Sequence, residues 1–333
     1  MEVAAVHVKI GDASAVGAAR RRVGDLARQV AFADEDAGRA ALIVTEAASN
    51  VVKHGGGGEC VLRASRDGDG ASIELVMFDA GAGIANLPQA LRDGFSSAGT
   101  PGTGLGAIAR LASAYDIYSR RGQGTVLYAA IWPASRAAGT APPVGAIAVP
   151  YPGETVCGDD WAVDQADGRS LVMVADGLGH GIDAHTAART ARDAFVAGRA
   201  DAPVAILERI HAALRPTRGA AVAIAEIDRR RGVVRYAGLG NIAGTVLGGG
   251  KTRSLVSLHG TAGHDARRLQ EFASPWNAGE VLVLHSDGIS SRWTLDAYPG
   301  LIARHPMLAA AVLYRDFRRS RDDVTVVVVR DAA

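Results

Sequence analysis

Hydrophobic and polar residues follow two different periods along the first 133 residues. Apolar runs rich in β-branched residues, which are typical of strands, have the sequences MEVAAVHVKI at the N-terminus, SIELVMF at 72–78 and GTVLYAAIW at 124–132. Alanine-rich segments with helical spacing cover residues 15–31 and 36–54, and GTGLGAIARLASAY begins another helix at 102. The pattern predicts an α+β domain.

A proline-rich stretch follows this segment. PASRAAGTAPPVG at 133–145 has neither period and contains three of the twelve prolines, which is typical of a linker. Strand-like runs come after it, LVMVAD, AVAIAEID, VVRYAGL, VLVLHSD and VTVVVVR, with helix-like segments near 183–198 and 202–214. We predict an α+β protein with domains at 1–133 and 146–333 and a linker at 134–145.

Composition agrees with two globular domains. The chain has 333 residues, and domains usually have roughly 100 to 200. Hydrophobic residues make up 48% and charged residues 21%, so sizeable cores can form. The 36 basic and 35 acidic residues give a formal charge of +1. A chain so nearly neutral has no general electrostatic attraction to nucleic acid or to an anionic membrane, and we expect neither as a partner.

The cysteines and the N-terminus indicate the compartment. Cys60 and Cys157 are far apart and lack the spacing of metal ligands, which argues against a disulfide framework and a structural zinc site. The N-terminus has no basic region followed by an apolar stretch, and no window reaches the ~18 consecutive apolar residues that span a bilayer. We expect a cytoplasmic protein.

A polar stripe runs along the helix predicted at 36–54. Spacings of four place Glu46, Asn50 and His54 on one face of this otherwise apolar helix. Such a stripe faces either water, as in an ordinary amphipathic helix, or a ligand. Four glycines at 55–58 then end the helix.

Glycines surround two further features of the first domain. Asp79 ends a strand and precedes Gly81 and Gly83. A carboxylate there can accept a hydrogen bond from an amino group while the glycines let backbone approach a flat ring, although Asp and Gly are also common in turns. Further glycines at 99–106 precede an apolar helix, and amides at a helix N-terminus bind phosphate well.

The order and spacing of these stretches resemble a known family. The N, G1 and G2 boxes of the GHKL ATPase superfamily are matched by Glu46-x-x-x-Asn50, Asp79-x-Gly81-x-Gly83 and Gly102-x-Gly104-x-Gly106, closed by Gly122-x-Gly124-Thr125. More closely, NVVKHGGGGE and FDAGAGIANLPQALRDGFSSAGTPGTGLG are similar to the small RsbT/RsbW-type serine kinases. The resemblance covers about residues 5–133.

This resemblance implies a GHKL (Bergerat) α/β sandwich that binds ATP with Mg²⁺. It implies that Asn50 holds the Mg²⁺, that Asp79 recognises the adenine amino group, and that the third glycine stretch forms a lid over the phosphates. Glu46 would be the general base for an attacking serine hydroxyl, a role that suits phosphoryl transfer. The implied ATP-binding residues are Asn50, Asp79, Gly81, Gly83, Gly102, Gly104, Gly106 and Thr125.

Acidic residues stand at the ends of strand-like runs in the second half: Asp159, Asp160, Asp176, Asp287, Asp322 and Asp323. Any single Asp-Gly pair is explained by a turn after a strand. If the ends converge, the carboxylates repel each other unless cations lie between them. Mg²⁺ and Mn²⁺ prefer such oxygen ligands, and two such ions would lower the pKa of a bridging water and present it to phosphorus.

The motifs GDDW, ADGLGHG, HSDGIS and DDVTVVVV resemble, in order and spacing, those of SpoIIE-like serine/threonine phosphatases of the metal-dependent PPM family, and most closely the short RsbX type. The resemblance spans about residues 145–331 and implies an αββα sandwich with two Mn²⁺ or Mg²⁺ ions. The implied ligands are Asp159, Asp176, Asp287, Asp322 and the carbonyl of Gly177.

Two ligand assignments stay open. Asp160 could share the role of Asp159, and Asp323 could replace Asp322. Because neighbours on a strand point oppositely, only one residue of each pair should reach the metal. His180 is a further candidate, as a general acid, although small residues after the ligand can simply let a helix begin close to the sheet.

Together the two resemblances imply a bacterial partner-switching enzyme. It would combine a serine kinase-like domain with a phosphoserine/phosphothreonine phosphatase, and act on STAS-type antagonist proteins in sigma-factor or stress signalling. Two alternatives remain: the first domain only senses nucleotide, or the protein is a binding switch that sequesters its partner. Glu46 and Asn50 favour phosphoryl transfer over sequestration alone.

Overall fold

A computed structural model describes residues 2–67, 70–91, 104–133, 144–166, 168–266 and 268–330. The chain divides into two compact units, Met1–Pro142 and Pro143–Ala333. Within the described residues, no helix is both long enough and apolar enough to span a membrane.

The described residues of the first unit form one antiparallel sheet covered by helices. In chain order the elements are β1 (Glu2–Ile10), α1 (Ala13–Gln29), α2 (Asp34–Asn50), β2 (Gly58–Asp67), β3 (Gly70–Asp79), α3 (Leu87–Ala90), α4 (Gly104–Leu111), β4 (Ala114–Ser119) and β5 (Thr125–Ile131). The strands pair in the order β1-β2-β3-β5-β4. The side chain of Asp12 caps α1, because it accepts hydrogen bonds from the amides of Ser14 and Ala15 at 2.8 and 3.1 Å.

The core of this unit lies between the helices and one face of the sheet. Val23 and Leu26 of α1 and Ile43 of α2 are buried in one cluster with Ile73 and Leu75 of β3. Each fully buried aliphatic side chain contributes about 1.5 to 3 kcal/mol relative to exposure. This packing fixes the orientation of α2 and therefore the direction of its polar residues.

The end of α2 departs from the predicted helix. A π-helical turn, Val51–Gly55, follows Asn50, and Gly56 then ends it in the left-handed region with φ of 68°. His54, within this turn, is exposed, whereas Glu46 and Asn50 are half-buried. π-helical turns of this kind occur often at functional sites.

The second unit contains two sheets within its described residues. In chain order its elements are β6 (Val144–Val149), β7 (Asp159–Ala166), β8 (Arg169–Gly177), α5 (Ile182–Ala197), α6 (Pro203–Ala213), β9 (Ala220–Asp228), β10 (Val233–Leu239), β11 (Ala243–Gly248), β12 (Lys251–Leu255), β13 (Ser257–Leu258), β14 (Phe272–Pro275), β15 (Val281–His285), α7 (Pro306–Phe317) and β16 (Val324–Arg330). One sheet has the order β13-β10-β9-β8-β7, with β14 beside β10, and the other has the order β12-β11-β15-β16-β6.

Helices cover the outer faces of this pair of sheets. α5 and α6 pack on the first sheet, where Phe195 and Leu207 are buried against Met173. α7 packs on β6 and β16 of the second sheet. Between the sheets lies a separate core that includes Val174 and Leu284. The layers run helix, sheet, sheet, helix, which confirms the predicted αββα sandwich.

The second unit begins earlier than the sequence pattern indicates. Val144 and Gly145 pair with Val329 and Val328 as the first residues of β6, so they belong to a strand and not to the predicted linker. The rest of the predicted linker, residues 134–143, lies outside the described residues.

Candidate active sites

The candidate nucleotide site of the first unit begins where α2 and α4 meet. A side chain added at Gly104, the first residue of α4, would lie 3.2 Å from Oε2 of Glu46 and 3.3 Å from Nδ2 of Asn50. Glu46 and Asn50 are half-buried. Their polar groups therefore face the N-terminal end of α4, where unpaired amides favour an anion.

Asp79 lies at the end of β3 against the glycines that follow α2. The carboxylate is buried, and its Oδ1 accepts a hydrogen bond from the Gly81 amide at 2.8 Å. A side chain added at Gly55 would lie 2.7 Å from Cβ of Asp79, and one added at Gly81 would lie 2.7 Å from Cα of Gly55. The glycines thus allow two backbone segments to pack directly around this carboxylate.

The Gly122-x-Gly124-Thr125 segment closes the same region from β5. Gly124 has φ of 73°, and a side chain there would collide with the carbonyl oxygen of Asp79. Thr125 is the cross-strand partner of Asp79, and its hydroxyl lies 2.8 Å from that of Ser119. Gly83, with φ of 69°, approaches the backbone of Arg120 equally closely.

The structure therefore brings most of the predicted nucleotide residues into one region. Gly106 is buried within α4, whereas Gly102 lies outside the described residues. α4 starts beside Glu46 and Asn50, and Asp79 lies beside Gly55, directly after the same α2 segment. The arrangement can hold an anion near Asn50 and a hydrogen-bond donor near Asp79; ATP binding itself stays a prediction.

In the second unit, an acid cluster forms at one end of the sheets: Asp159, Asp176, Asp287, Asp322 and Asp323. Asp159 and Asp176 face each other as cross-strand partners of β7 and β8. Asp159 is 4% exposed, and its Oδ2 accepts a hydrogen bond from the Ser286 hydroxyl at 2.7 Å. Ser286 directly precedes Asp287, so this bond joins the strand end of β15 to the carboxylate pair.

Burial, and after it the charge of neighbouring carboxylates, raises the pKa of Asp159, Asp176 and Asp322. Burial raises the pKa of Asp176 to about 9, and the charges of Asp159, Asp287 and Asp322 add to the rise. Burial likewise raises the pKa of Asp159 to about 7 and, together with Asp287, that of Asp322 to about 6. Without a counter-charge, burial therefore disfavours the charged forms of these three side chains.

Glycines bring the backbone of this region close to the acids. The Gly177 amide donates to the carbonyl of Gly158 at 3.1 Å, and a side chain at Gly177 would collide with the backbone of Ala184. A side chain at Gly158 would lie 2.7 Å from Oδ2 of Asp323. A larger residue at Gly177 would meet backbone, and one at Gly158 would displace the Asp323 carboxylate, so the backbone approaches the cluster closely at both glycines.

The two open assignments have different surroundings. Asp160 lies away from the cluster: its Oδ1 accepts from the Trp161 amide at 2.8 Å and lies 3.6 Å from Nη1 of Arg192 on α5. Asp323 lies in the cluster, where its Oδ1 accepts from the amides of Tyr151 and Gly158 at 2.9 and 2.8 Å. One oxygen of Asp323 is thus committed to backbone.

The acid cluster offers the carboxylate oxygens that a hard cation prefers, but its side chains are not arranged as the ligands of one ion. Among the described residues, no three His, Cys, Asp or Glu side chains are already arranged to hold one ion. Oδ1 of Asp159 and Oδ2 of Asp323 are nevertheless buried without a hydrogen-bond partner, which is costly for a carboxylate. A cation would satisfy both oxygens and offset the repulsion, after side-chain adjustment. The metal ligands stay a prediction.

The two units match models of two different protein families. Residues 11–131 match the family model described as histidine kinase-like ATPase domain, and residues 166–331 match that of Stage II sporulation protein E (SpoIIE). The chain joins a histidine kinase-like ATPase domain to a SpoIIE domain.

Similar proteins include one for each domain. The serine/threonine-protein kinase RsbT of Bacillus subtilis is 29% identical over 115 residues, which covers 34% of this chain and 86% of RsbT. The phosphoserine phosphatase RsbX of Bacillus subtilis is 23% identical over 139 residues, which covers 41% of this chain and 70% of RsbX.

A solved structure described as "The bacterial stressosome: a modular system that has been adapted to control secondary messenger signaling" is 30% identical to this chain. The match covers 56% of this chain and 98% of the solved one, with a TM-score of 0.53.

Two residues for which the sequence predicts no role, Asn241 and Ser286, donate hydrogen bonds to acids of the SpoIIE domain. Asn241 donates from Nδ2 to Oδ2 of Asp287 at 2.8 Å. Ser286 binds Asp159, and its position before Asp287 in HSDG was the available signal. Asn241 follows a glycine after β10 and has no motif of its own, so only the fold reveals its partner.

His285 fixes the turn that carries Asp287. The Trp293 indole N–H donates to its Nε2 at 2.9 Å, so Nε2 is an acceptor and Nδ1 donates to the carbonyl of Ser286 at 2.8 Å. Burial lowers the pKa of His285, which agrees with a neutral ring in this arrangement. His285 therefore acts on the backbone of the turn and not on the acids themselves.

Proposed function

We propose that the SpoIIE domain is a metal-dependent phosphatase that hydrolyses phosphoserine or phosphothreonine of a partner protein. The observation that carries the proposal is the acid cluster, in which Asp159 and Asp176 are cross-strand partners with raised pKa values and Asp159 keeps an unpartnered buried oxygen. Asp159, Asp176, Asp287, Asp322 and the Gly177 carbonyl would hold Mn²⁺ or Mg²⁺. When bound, the ions lower the pKa of a water that attacks phosphorus.

We propose further that the ATPase domain binds ATP with Mg²⁺ and transfers its terminal phosphate to a serine. Asn50 would hold the ion and Asp79 the adenine amino group, and Glu46 would accept the proton of the serine hydroxyl. The position of Gly104 beside Glu46 and Asn50 supports this assignment, because it aligns the start of α4 with both residues. Positioning and charge stabilisation supply most of the catalysis in phosphoryl transfer.

The partner that fits both activities is a STAS-type antagonist protein in a sigma-factor or stress-signalling circuit. The similar proteins of Bacillus subtilis are a serine/threonine-protein kinase and a phosphoserine phosphatase, so the two domains are expected to act on one serine in opposite directions. A single chain gives both activities a shared local concentration of the partner. Unless one activity is gated, the pair would consume ATP without net change.

One experiment tests both assignments. Purified protein is incubated with a candidate STAS-domain protein and γ-labelled ATP, with and without Mn²⁺, alongside Asn50→Ala, Asp176→Asn and, as a matched control, Asp160→Asn. We expect Asp176→Asn to accumulate label on the partner, Asn50→Ala to transfer none, and Asp160→Asn to behave as the parent does.

The two assignments fail separately. If Asp176→Asn releases phosphate from the labelled partner as fast as the parent, the metal assignment is wrong. If label does not reach the partner even when the phosphatase is disabled, the ATPase domain is a nucleotide sensor or a binder for that partner and not its kinase.

A further inference from the structure

The turn that follows Asp176 carries two exposed aliphatic side chains. Leu178 is 44% exposed and Ile182, the first residue of α5, is 65% exposed. Exposed large hydrophobic residues elsewhere in the described chain are scattered: Leu42, Tyr115, Val196, Val256 and Ile302. Isolated residues of this kind are ordinary, but two on one short turn form a small apolar surface.

Backbone hydrogen bonds anchor the start of this apolar surface. The Leu178 amide donates to the carbonyl of Gly219 at 3.1 Å, and the Gly177 amide donates to that of Gly158 at the same distance. Gly179 and Gly181 have φ of 88° and 77°, which only glycine adopts readily. The two hydrogen bonds tie the start of the turn to two neighbouring segments, and the Leu178 and Ile182 side chains are exposed in this arrangement.

The apolar surface begins next to the acid cluster along the chain. Leu178 is two residues from Asp176 along the chain and follows Gly177 directly. Any phosphoserine that reaches the proposed metal site brings its own flanking residues over this turn. The occupant that fits is therefore the polypeptide that carries the phosphoserine, with an aliphatic side chain close to it.

One arginine side chain lies at the edge of the turn, where the carboxylates of Asp183 and Glu154 also lie. Nη1 of Arg218 lies 3.3 Å from the position that a side chain at Gly179 would take, and Nη2 donates to Asp183 at 2.5 Å. The Arg218 side chain is 53% exposed. A guanidinium has five N–H donors, so one ion pair leaves donors that can meet a phosphate or an acidic residue.

We propose that Leu178 and Ile182 form a docking surface for an aliphatic residue next to the phosphoserine of the partner, with the remaining N–H donors of Arg218 meeting an acceptor of that segment. The proposal rests on the phosphatase function of the SpoIIE domain. It gives that site a preference among phosphoserine segments, since contacts with aliphatic side chains distinguish substrates by about tenfold or more.

Two phosphoserine peptides test the proposal. They are identical except that leucines flank the phosphoserine in one and glycines in the other, and p-nitrophenyl phosphate serves as a substrate without flanking residues. With Mn²⁺, we expect the parent to show a kcat/KM about tenfold higher for the leucine peptide. Leu178→Ser and Ile182→Ser should each lose most of this preference and keep the hydrolysis of p-nitrophenyl phosphate within about twofold.

Val196→Ser is the matched control, because Val196 is also 44% exposed and lies on α5 at its far end. It should keep the preference. The docking proposal is overturned if the parent has no preference, if both variants retain it, or if Val196→Ser loses it equally. It is also overturned if both turn variants lose p-nitrophenyl phosphate hydrolysis in parallel with peptide hydrolysis.

A different result separates this proposal from the function on which it rests. If the parent hydrolyses none of the three substrates faster than Asp176→Asn, the phosphatase function is wrong and the docking surface falls with it. If p-nitrophenyl phosphate is hydrolysed in an Asp176-dependent way but the peptides are not distinguished, only the docking surface is refuted.

Discussion

Asp323 connects the acid cluster to the segment that precedes β7. Its Oδ1 accepts hydrogen bonds from the amides of Tyr151 and Gly158, which lie far from it in sequence. The sequence predicted that one residue of the Asp322–Asp323 pair would face the metal. Because the two acids are adjacent at the start of a strand, the sequence pattern alone does not show which one. Only the partners of each carboxylate, which come from a distant segment, distinguish them.

Removing the Asp323 carboxylate is expected to destabilise the SpoIIE domain. Asp323→Ala leaves the Tyr151 and Gly158 amides without their acceptor, at a cost of about 2 to 4 kcal/mol. The midpoint of thermal unfolding should fall by roughly 5 to 10 °C, as measured by calorimetry. Asp323→Asn keeps an oxygen acceptor and should lose less than half as much; an equal loss in both variants would contradict this role.

At the scale of elements, one arginine holds the end of α4 against α2. Arg39 donates through Nε and Nη2 to the carbonyl of Leu111 at 3.1 and 2.7 Å, and through Nη1 to Asp36 at 2.8 Å. Leu111 is the last residue of α4, whose first residue, Gly104, lies beside Glu46 and Asn50. Arg39 therefore helps to set the position of the helix at the proposed nucleotide site.

We expect Arg39→Ala to weaken nucleotide binding without removing any proposed ligand. Loss of charge-assisted hydrogen bonds to the end of α4 costs about 1.5 to 3 kcal/mol, part of which would appear as a three- to tenfold rise in the Kd for ATP. Isothermal titration with Mg²⁺ measures it. Gln89→Ala, on the separate helix α3, is the control, and an unchanged Kd in Arg39→Ala would refute the role.

Periodicity predicted the elements that have one buried face or a β-branched core sequence. The segments at 183–198 and 202–214 correspond to α5 and α6, and the five apolar runs of the second half to β8, β9, β10, β15 and β16. α7 was not predicted, because every residue from Pro306 to Tyr314 is buried and its sequence has no polar face. The π-helical turn after Asn50 was missed because its residues continue the helical pattern.

At the scale of the whole molecule, each candidate site is built within one unit. The proposed nucleotide residues belong to the first unit and the acid cluster to the second, and each unit has its own hydrophobic core. Motif order along the sequence predicted which residues lie together in each unit, and their roles stay a prediction. It did not predict Ser286 and Asn241 as partners of the acids, because those contacts depend on how distant strand ends meet in the fold.

Binding of Mn²⁺ decides whether the acid cluster holds the proposed catalytic metal. Isothermal titration without nucleotide compares the parent with Asp176→Asn and with Asp160→Asn, whose carboxylate lies away from the cluster. We expect Asp176→Asn to weaken Mn²⁺ binding by about 100-fold or more and Asp160→Asn to bind as the parent does. If Asp176→Asn binds Mn²⁺ as tightly as the parent, the acid cluster is not the metal site.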